Sequence, residues 1–478
     1  MRIGEYVRQD ACALAELVRR GEVRPRELCE LALSRARELQ PALGCIAIWD
    51  EEDAARILEA GPAPGPFRGV PFLLKDLYTF RAGTRLSNGS GLTRDHPAGF
   101  DTTLVQRFLA AGLVPFGKTT SPEFGLNVVT EPVLHGPCRN PWNPAFSPGG
   151  SSGGAAAAVA AGIVPMAHAS DGGGSIRIPA SHCGLVGLKP SRARTPMGPL
   201  AVEAWSGLAT AHVVARTVRD VAAVLGAVHG PEPGDFYACP PPAAGFAAAV
   251  ARDPSPLRIG LLRRAPTGVP LHPEVAVVLE EAADFLADAG HAVVEVELPL
   301  DGGRFSEAFL AVVAANVARD VAWWSEQTGR SADADHLERA TLFFVERGRA
   351  LSAVDFVSAL RAVQAVARAL GRVFAQCDVL LSPVCAAPAP RVGEVDQNGD
   401  VEAYLAANAP YVAFTAIHNA AGTPAISVPF GRDARGVPIG VMFAAPLGGE
   451  ELLLSLAGWI ERLRPWPDPA LSTPFAPR

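Results

Sequence analysis

Two glycine-rich serine clusters, separated by an apolar alanine-rich stretch, constrain this chain more than any other feature. The first is SPGGSSGG at 147–154, the second is SDGGGSIRIPASHC at 170–183, and the stretch 155–166 between them carries no charge. Glycine lets a backbone adopt positive φ and approach a ligand closely, and each cluster has a serine at its centre. A flexible Gly/Ser linker is the alternative, but a solvated linker has no reason to enclose so apolar a stretch. The pattern therefore predicts two ordered serine loops beside a ligand.

Lysine is almost absent from the chain. Only Lys75, Lys118 and Lys189 occur, so 39 of the 42 basic residues are arginine. A buried lysine can lose its proton and act as a neutral base, whereas an arginine stays charged. Lys75 ends the apolar run GVPFLLK, which predicts a buried strand. We therefore expect Lys75 to be chemically active, and the other two lysines to be structural ion-pair partners.

Together these features resemble the amidase signature family. Its pattern is a lysine after an apolar strand, then GGSSGG, then D-x-GGS-I-R-x-P-A. In this chain the three parts are Lys75, 149–154 and 171–180. The flanking blocks GKTTSPEFG, GLVGLKPS and NAAGTPAISVPF agree, and the similarity extends to about residue 465. PFLLKDL, TEPVLHGPCRNPWN and RPWPDP look most like the branch that contains 6-aminohexanoate cyclic-dimer hydrolase, aryl acylamidases and urethanases.

The resemblance implies a Ser-cisSer-Lys triad that works through an acyl-enzyme. Ser175 would be the nucleophile, Ser151 would relay its proton, and neutral Lys75 would be the base. Ser151 follows Lys75 by 76 residues and precedes Ser175 by 24, both spacings similar to the family's. A serine hydroxyl is a poor nucleophile alone, so such a base is needed. The family position of Ser151 is reached through a cis peptide bond, here Gly150–Ser151.

The loop before the nucleophile is expected to form an oxyanion hole from backbone N–H groups. The family commonly has Ile or Thr where this chain has Gly172, so we expect the hole to survive with more room beside it. The resemblance implies that the oxyanion donors are Gly172, Gly173, Gly174 and Ser175, and that Ser152, Asp171 and Arg177 support the loop. Ser170 and Ser181 are expected to support it by hydrogen bonding too.

The alternation of apolar strand and helix patterns predicts an α/β fold. The resemblance makes this a central mixed, twisted β-sheet covered by helices on both faces. We expect one domain over 1–478. Within it we predict an N-terminal helical region at 1–65, a catalytic core at 66–300, a helical substrate-side region at 304–376 and a return to the core sheet at 377–465.

Composition narrows the function classes. A net charge of −7 without a basic cluster argues against a nucleic-acid partner. Eight scattered cysteines without a CxxC pair fit a reducing cytosol. No apolar signal core or 18-residue apolar span is present, so we expect no membrane association and a cytoplasmic location. No His/Cys/Asp cluster has metal-ligand spacing, so we expect no metal and no other cofactor.

The predicted function is hydrolysis of carboxylic amides, extending to aryl amides, esters and carbamates, by a monomer or homodimer. The alternative is a glutamine-dependent amidotransferase A-type subunit, but its Y-D-G-x-R-[YF]-G block is not found. A non-catalytic relative typically loses a triad member, and all three are present. A Ser-His-Asp triad through His168 or His182 is a further, weaker alternative. Neither a P-loop nor a G-x-S-x-G elbow fits the serine clusters.

Overall fold

The computed structural model describes residues 1–477 and contains the following regular elements. The strands are β1 Ile46–Trp49, β2 Pro71–Lys75, β3 Arg85–Leu86, β4 His96–Pro97, β5 Val114–Thr119, β6 Met166–Asp171, β7 Val186–Lys189, β8 Thr210–Ala215, β9 Arg258–Leu261, β10 Ala292–Glu295, β11 Val379–Pro383, β12 Ala425–Arg432 and β13 Pro438–Ala444. The helices before residue 300 are α1 Ile3–Tyr6, α2 Ala11–Arg19, α3 Pro25–Leu43, α4 Glu51–Ala60, α5 Thr103–Ala110, α6 Gly153–Ala160, α7 Arg177–Cys183, α8 Val218–Val228, α9 Phe246–Val250 and α10 Pro273–Asp288. Those after it are α11 Gly302–Thr328, α12 Arg339–Ala350, α13 Ala353–Phe374, α14 Val401–Val412, α15 Ala416–Ala421, α16 Glu450–Leu463 and α17 Pro469–Ser472. Short 3₁₀ helices occur at Glu123–Gly125 and Ala204–Gly207.

An eight-stranded sheet organises the molecule, with strand order β10-β9-β11-β13-β12-β7-β8-β6. Strands β10, β9 and β11 run parallel to one another, and the other neighbouring pairs are antiparallel. The sheet is therefore mixed, as the sequence predicts.

Successive side chains of a strand point to opposite faces of a sheet, and in this sheet the side chains on both faces are apolar. In β13, Val441 and Phe443 enter one buried core, whereas Met442 and Ala444 enter the other. The first core also receives α3, α6, α8, α10 and α16, and the second receives α11, α12 and α13. The predicted α/β fold with helices on both faces is confirmed.

A smaller three-stranded sheet carries Lys75. Its order is β1-β5-β2, with β2 parallel to β5 and β1 antiparallel to it. All five residues of β2 are buried, which explains the unbroken apolar run. The backbone N–H of Lys75 donates to His168 Nδ1 at 3.2 Å, which joins the end of β2 to β6 of the large sheet.

The predicted helical region at 304–376 consists of α11, α12 and α13, separated by 329–338 and by a short break at 351–352. The first break follows Gly329, which ends α11 in the left-handed conformation at φ 69°. The subdivision into four regions stays a prediction, and Arg478 lies outside the described residues. Among residues 1–477, no single helix has the length and apolarity to cross a membrane; α12 and α13 meet these criteria only as a pair, bent by 110°.

Candidate active site

Lys75 ends β2 at a point where two hydroxyl groups surround its side-chain nitrogen. Lys75 Nζ lies 2.8 Å from Ser151 Oγ and 3.0 Å from Ser170 Oγ, and the residue is 0% exposed. It forms no ion pair with a carboxylate in the described chain. Burial lowers the pKa of Lys75 to about 7, against a partial opposing effect of Asp171. Near neutral pH this amine can therefore exchange a proton with a serine hydroxyl.

Ser151 lies in the loop that leads into α6, directly after a cis Gly150–Ser151 peptide bond. The neighbouring Ser152 connects this loop to the second cluster. Its backbone N–H donates to the Ser175 carbonyl at 3.3 Å, and its hydroxyl donates to the Ser170 carbonyl at 3.1 Å. Ser151 and Ser175 thus line one cavity, and Lys75 contacts Ser151 from behind that wall.

Ser175 is held by a buried charge network at the start of α7. Arg177 donates through Nε and Nη2 to the two carboxylate oxygens of Asp171, at 2.9 and 2.8 Å. Burial opposes the charge of Asp171, but Arg177 outweighs burial and lowers the pKa of that carboxyl below its usual range. Asn419 of α15 donates to Asp171 Oδ1 at 2.9 Å and accepts from Arg177 Nη2 at 2.7 Å. The predicted pairing of Asp171 with Arg177 is present, and it joins β6, α7 and α15.

One of the four predicted oxyanion donors is already in use. The N–H of Gly174 donates to Asp171 Oδ1 at 2.8 Å, so this amide belongs to the loop's own support. For the N–H groups of Gly172, Gly173 and Ser175, the described chain offers no such acceptor. The four-donor set stays a prediction, and in this structure three of its amides lack an acceptor within the described chain while the Gly174 amide is engaged with Asp171.

The expected extra room beside Gly172 is absent because an indole fills it. A Cβ atom placed on Gly172 would lie 2.8 Å from Cε3 and 2.9 Å from Cζ3 of Trp205. Such distances leave no space for the Ile or Thr that the family commonly has. Gly172 thus allows Trp205 to lie directly against the loop.

Within residues 1–477 Lys118 and Lys189 form no ion pair, so the expectation that they are ion-pair partners is wrong. Lys118 Nζ donates to Thr84 Oγ1 at 2.9 Å and to the Arg85 carbonyl, and Lys189 Nζ donates to the Pro190 carbonyl at 2.8 Å. Both residues are 0% exposed, and burial lowers both pKa values, that of Lys189 to about 7. What separates Lys75 from them is its contact with two serine hydroxyls.

The alternative histidine triad lacks its third member. His168 accepts the Lys75 amide, and burial lowers its pKa to about 3. The His182 ring packs edge-on against Tyr411, and neither of its nitrogens has a partner in the described chain. No carboxylate of the described chain is hydrogen-bonded to either imidazole, so the group that would orient a histidine base is not found there.

Two cavities meet at Ser175. The larger, of about 330 Å³, contains Ser151, Ser170, Ser175, Glu203, Arg319 and Asp320 among its lining residues. The smaller, of about 200 Å³, is walled by Phe305, Phe309, Leu310, Val313 and Phe344. Both cavities are lined by Gly125, Ser175 and Trp205. Helix α11 contributes to both.

Several residues of this site were not anticipated from the sequence. Trp205 and Ser206 adopt left-handed φ values of 50° and 53°, which are rare outside glycine and give no sequence signal. Tyr78 Oη donates to Asp320 Oδ2 at 2.9 Å and joins the segment after β2 to α11. For Asn419 a signal was available, since it opens the NAAGTPAISVPF block.

The family model named Amidase matches residues 27–454. The chain belongs to the amidase signature family. This amidase is 39% identical to 6-aminohexanoate-cyclic-dimer hydrolase of Paenarthrobacter ureafaciens, over 96% of its own length and 95% of the relative. A structure of 6-aminohexanoate cyclic dimer hydrolase complexed with substrate matches it with a TM-score of 0.93 at 36% identity, covering 98% of this chain and 100% of that one.

A bacterial aryl acylamidase of the amidase signature family has a TM-score of 0.87 at 27% identity, with 97% and 98% of the two chains covered. The predicted family and branch are confirmed by these matches. The protein is an amidohydrolase that acts on amide C–N bonds other than peptide bonds.

Proposed function

We propose that this amidase forms an acyl-enzyme on Ser175, with Ser151 as proton relay and Lys75 as base. The observation that carries the proposal is the 2.8 Å contact between Lys75 Nζ and Ser151 Oγ in a buried position without a carboxylate. A carboxylate beside Lys75 would hold it protonated, whereas hydroxyl partners leave its lone pair available. Ser170 Oγ, at 3.0 Å, accepts a second hydrogen bond from Nζ and orients the amine.

Acylation follows from this arrangement. The Ser175 oxygen attacks the substrate carbonyl carbon while its proton passes to Ser151 and the Ser151 proton passes to Lys75. The carbonyl oxygen becomes an oxyanion, which the N–H groups of Gly172, Gly173 and Ser175 stabilise. Removal of one such donor typically costs about 10²–10³ in rate.

Collapse of the tetrahedral intermediate breaks the C–N bond. The proton held by Lys75 returns through Ser151 to the leaving nitrogen, which departs as a neutral amine. A water molecule then takes the place of the amine and attacks the acyl carbon, while its proton passes to Ser151 and the Ser151 proton passes to Lys75. Collapse of this second intermediate breaks the C–O bond to Ser175, and the proton returns from Lys75 through Ser151 to the Ser175 oxygen. The acid is released and the starting protonation of all three residues is restored.

The proposed substrate range is carboxylic amides, aryl amides, esters and carbamates. All four present an sp² carbonyl carbon with a heteroatom leaving group, so the same attack applies. The apolar residues of the larger cavity, among them Leu104, Val105 and Trp323, give an aryl leaving group an apolar surface. Relatives named for a cyclic amide dimer and for aryl acylamides agree with this range.

A serine-directed sulfonyl fluoride tests the nucleophile. Treated enzyme should lose its activity toward chromogenic anilides, and mass spectrometry should place the adduct on Ser175. Ser175→Ala should be inactive and unlabelled, and Ser151→Ala nearly as inactive. An adduct on another serine, or full activity of Ser175→Ala, would overturn the proposal. A matched panel of anilide, ester and carbamate with one acyl group then measures the substrate range.

The same substrate panel tests the alternative of an amidotransferase subunit. The isolated chain should hydrolyse anilides without a second subunit, whereas an amidotransferase subunit would need its partner and glutamine. A cytoplasmic location is part of the proposal, and the eight free cysteines of the structure, seven of them buried, suit a reducing compartment.

A further inference from the structure

Trp205 occupies a position between the two cavities that meet at Ser175. Its indole packs on Gly172, which lines the larger cavity, and Trp205 itself lines both. A second ring, that of Phe309, lies against the next glycine, because its Cζ atom is 3.5 Å from where a Cβ on Gly173 would be. Two aromatic rings therefore lie against consecutive glycines of the loop that ends in the nucleophile.

The backbone fixes the indole in this place. Trp205 (φ 50°, ψ 43°) and Ser206 (φ 53°, ψ 41°) form two successive left-handed residues, a conformation that is unfavourable for residues other than glycine. Neighbouring elements hold the turn. Asn316 Nδ2 of α11 donates to Ser206 Oγ at 3.0 Å, and Arg192 Nε donates to the Gly207 carbonyl at 2.6 Å. A strained turn held from two sides indicates a position that the fold maintains.

The two cavities differ in chemistry. The larger carries Ser151 and has Glu203, Arg319 and Asp320 in its lining. The smaller lacks Ser151 and is walled mainly by aromatic and aliphatic side chains of α11, α12 and α14. In the mechanism proposed above, the leaving nitrogen takes its proton from Ser151. The amine portion of a substrate therefore lies in the larger cavity, and the acyl portion extends into the smaller one.

We propose that Trp205 determines acyl specificity by forming the boundary between these two sides. The smaller cavity then takes an unbranched apolar acyl group, which passes Trp205 and Phe309 next to the carbonyl carbon. A branch at the α carbon would meet one of the two rings. The inference rests on the proposed function, because it uses Ser151 to assign the leaving-group side.

Two substrates with one leaving group test the proposal. The 4-nitroanilides of hexanoic acid and of trimethylacetic acid differ only in the acyl group. The parent enzyme should prefer the hexanoyl substrate in kcat/KM. Trp205→Ala should shift that ratio toward the trimethylacetyl substrate by about tenfold or more, the discrimination that an apolar contact typically supplies. Trp205→Phe should shift it in the same direction by less, and it keeps the test available should the alanine variant not fold.

The matched control is Trp323→Ala, which removes an indole from the larger cavity alone. It should leave the acyl ratio within about twofold of the parent. The inference would be overturned if Trp205→Ala or Trp205→Phe left the acyl ratio unchanged. It would also be overturned if Trp323→Ala changed the ratio as much as Trp205→Ala does.

A second variant tests the contact with Gly172. Gly172→Val should reduce kcat/KM strongly in the parent, where the new side chain meets the indole, and much less in Trp205→Ala. Equal losses in both backgrounds would contradict a direct steric contact. Ser175→Ala separates this inference from the proposed function. Activity remaining in Ser175→Ala would defeat the proposed function. If Ser175→Ala is inactive but the Trp205 variants keep the acyl ratio of the parent, the role of Trp205 alone is defeated.

Discussion

At the residue scale, Lys75 is defined by what surrounds its side-chain nitrogen. Two serine hydroxyls lie within 3.0 Å of Nζ, and no carboxylate of the described chain pairs with it. Lys189 is equally buried, but within the described residues its nitrogen donates to a backbone carbonyl alone. Burial alone therefore does not distinguish the two lysines. In the proposed mechanism the contact with Ser151 does, because it connects the Lys75 amine to a hydroxyl in the wall of the cavity that Ser175 also lines.

Replacement of Lys75 by arginine should be as damaging as replacement by alanine. A guanidinium keeps its charge in proteins and cannot accept the Ser151 proton. We expect Lys75→Arg and Lys75→Ala each to lower kcat/KM by about 10² or more, the lower end of what a positioned acid–base group contributes. Steady-state kinetics with an anilide measures this. Substantial rescue by arginine would show that Lys75 supplies charge and not a base.

The pKa of Lys75 predicts how activity and stability depend on pH. In the proposed mechanism activity requires the neutral amine, so kcat/KM of the parent should rise through about pH 7. Between about pH 7 and the usual lysine pKa of 10.5, the unfolded chain binds more protons than the folded one. The resulting penalty on folding is complete below pH 7 and fades as pH rises to 10.5.

Lys75→Met removes this penalty. The variant should therefore melt above the parent at pH 6–7, and the difference should shrink toward pH 10. Because Lys189 has a similarly lowered pKa in both proteins, only the difference between their melting curves reports on Lys75. A kcat/KM flat from pH 6 to 10, with no added stability in Lys75→Met, would contradict the assignment.

At the scale of elements, the network of Asp171, Arg177 and Asn419 holds β6, α7 and α15 together behind the serine loop. Asp171→Asn would leave the Arg177 charge buried without its carboxylate. The free energy of unfolding should fall by about 3–5 kcal/mol, the usual result of removing one partner of a buried pair. Urea denaturation measures it, and activity should fall as the Gly174 amide loses its carboxylate acceptor.

Asp253→Asn is the control for this prediction. Asp253 pairs with Arg462 on the surface, where the side chains are 73% and 42% exposed. Loss of that pair should cost about 1 kcal/mol at most. Similar denaturation midpoints for the two variants would mean that the buried network does not stabilise the fold.

The elements around Ser175 were predictable from the sequence where a single local pattern determines them. The uniformly apolar run before Lys75 gives β2, and the alanine run after GGSSGG gives α6, which begins at Gly153. The indole over Gly172 was not predictable, because it depends on left-handed residues at 205 and 206 that no local rule favours. An apolar sequence pattern predicts the type of a single element, but it does not predict which side chain from a distant part of the chain packs against that element.

The helical region at 304–376 shows a signal that was present but not used. Gly329 and the polar residues after it, SADAD at 331–335, are typical of a helix end and a loop. The prediction of one helical region over 304–376 instead followed the helical pattern on both sides of this segment. The break matters for the site, because it lets α12 turn back and contribute Phe344 to the wall of the smaller cavity, which Phe309 of α11 also lines.

At the scale of the whole molecule, the distribution of metal-ligating side chains predicts independence from divalent cations. Within residues 1–477, no three His, Cys, Asp or Glu side chains come together in a way that would hold a metal ion. Prolonged dialysis against EDTA should therefore leave kcat/KM and the melting temperature unchanged. An activity lost on dialysis and restored by Zn²⁺ or Mn²⁺ would contradict this prediction.

The burial of all three lysines has a practical consequence for handling the protein. Each is 0% exposed, so the folded surface offers amine-reactive reagents no lysine side chain. An N-hydroxysuccinimide ester should therefore modify no lysine side chain of the native enzyme. Glutaraldehyde fixation and coupling to amine-reactive resins should be correspondingly inefficient. Since the charged surface is instead rich in arginine, trypsin should cut the native protein only after arginines.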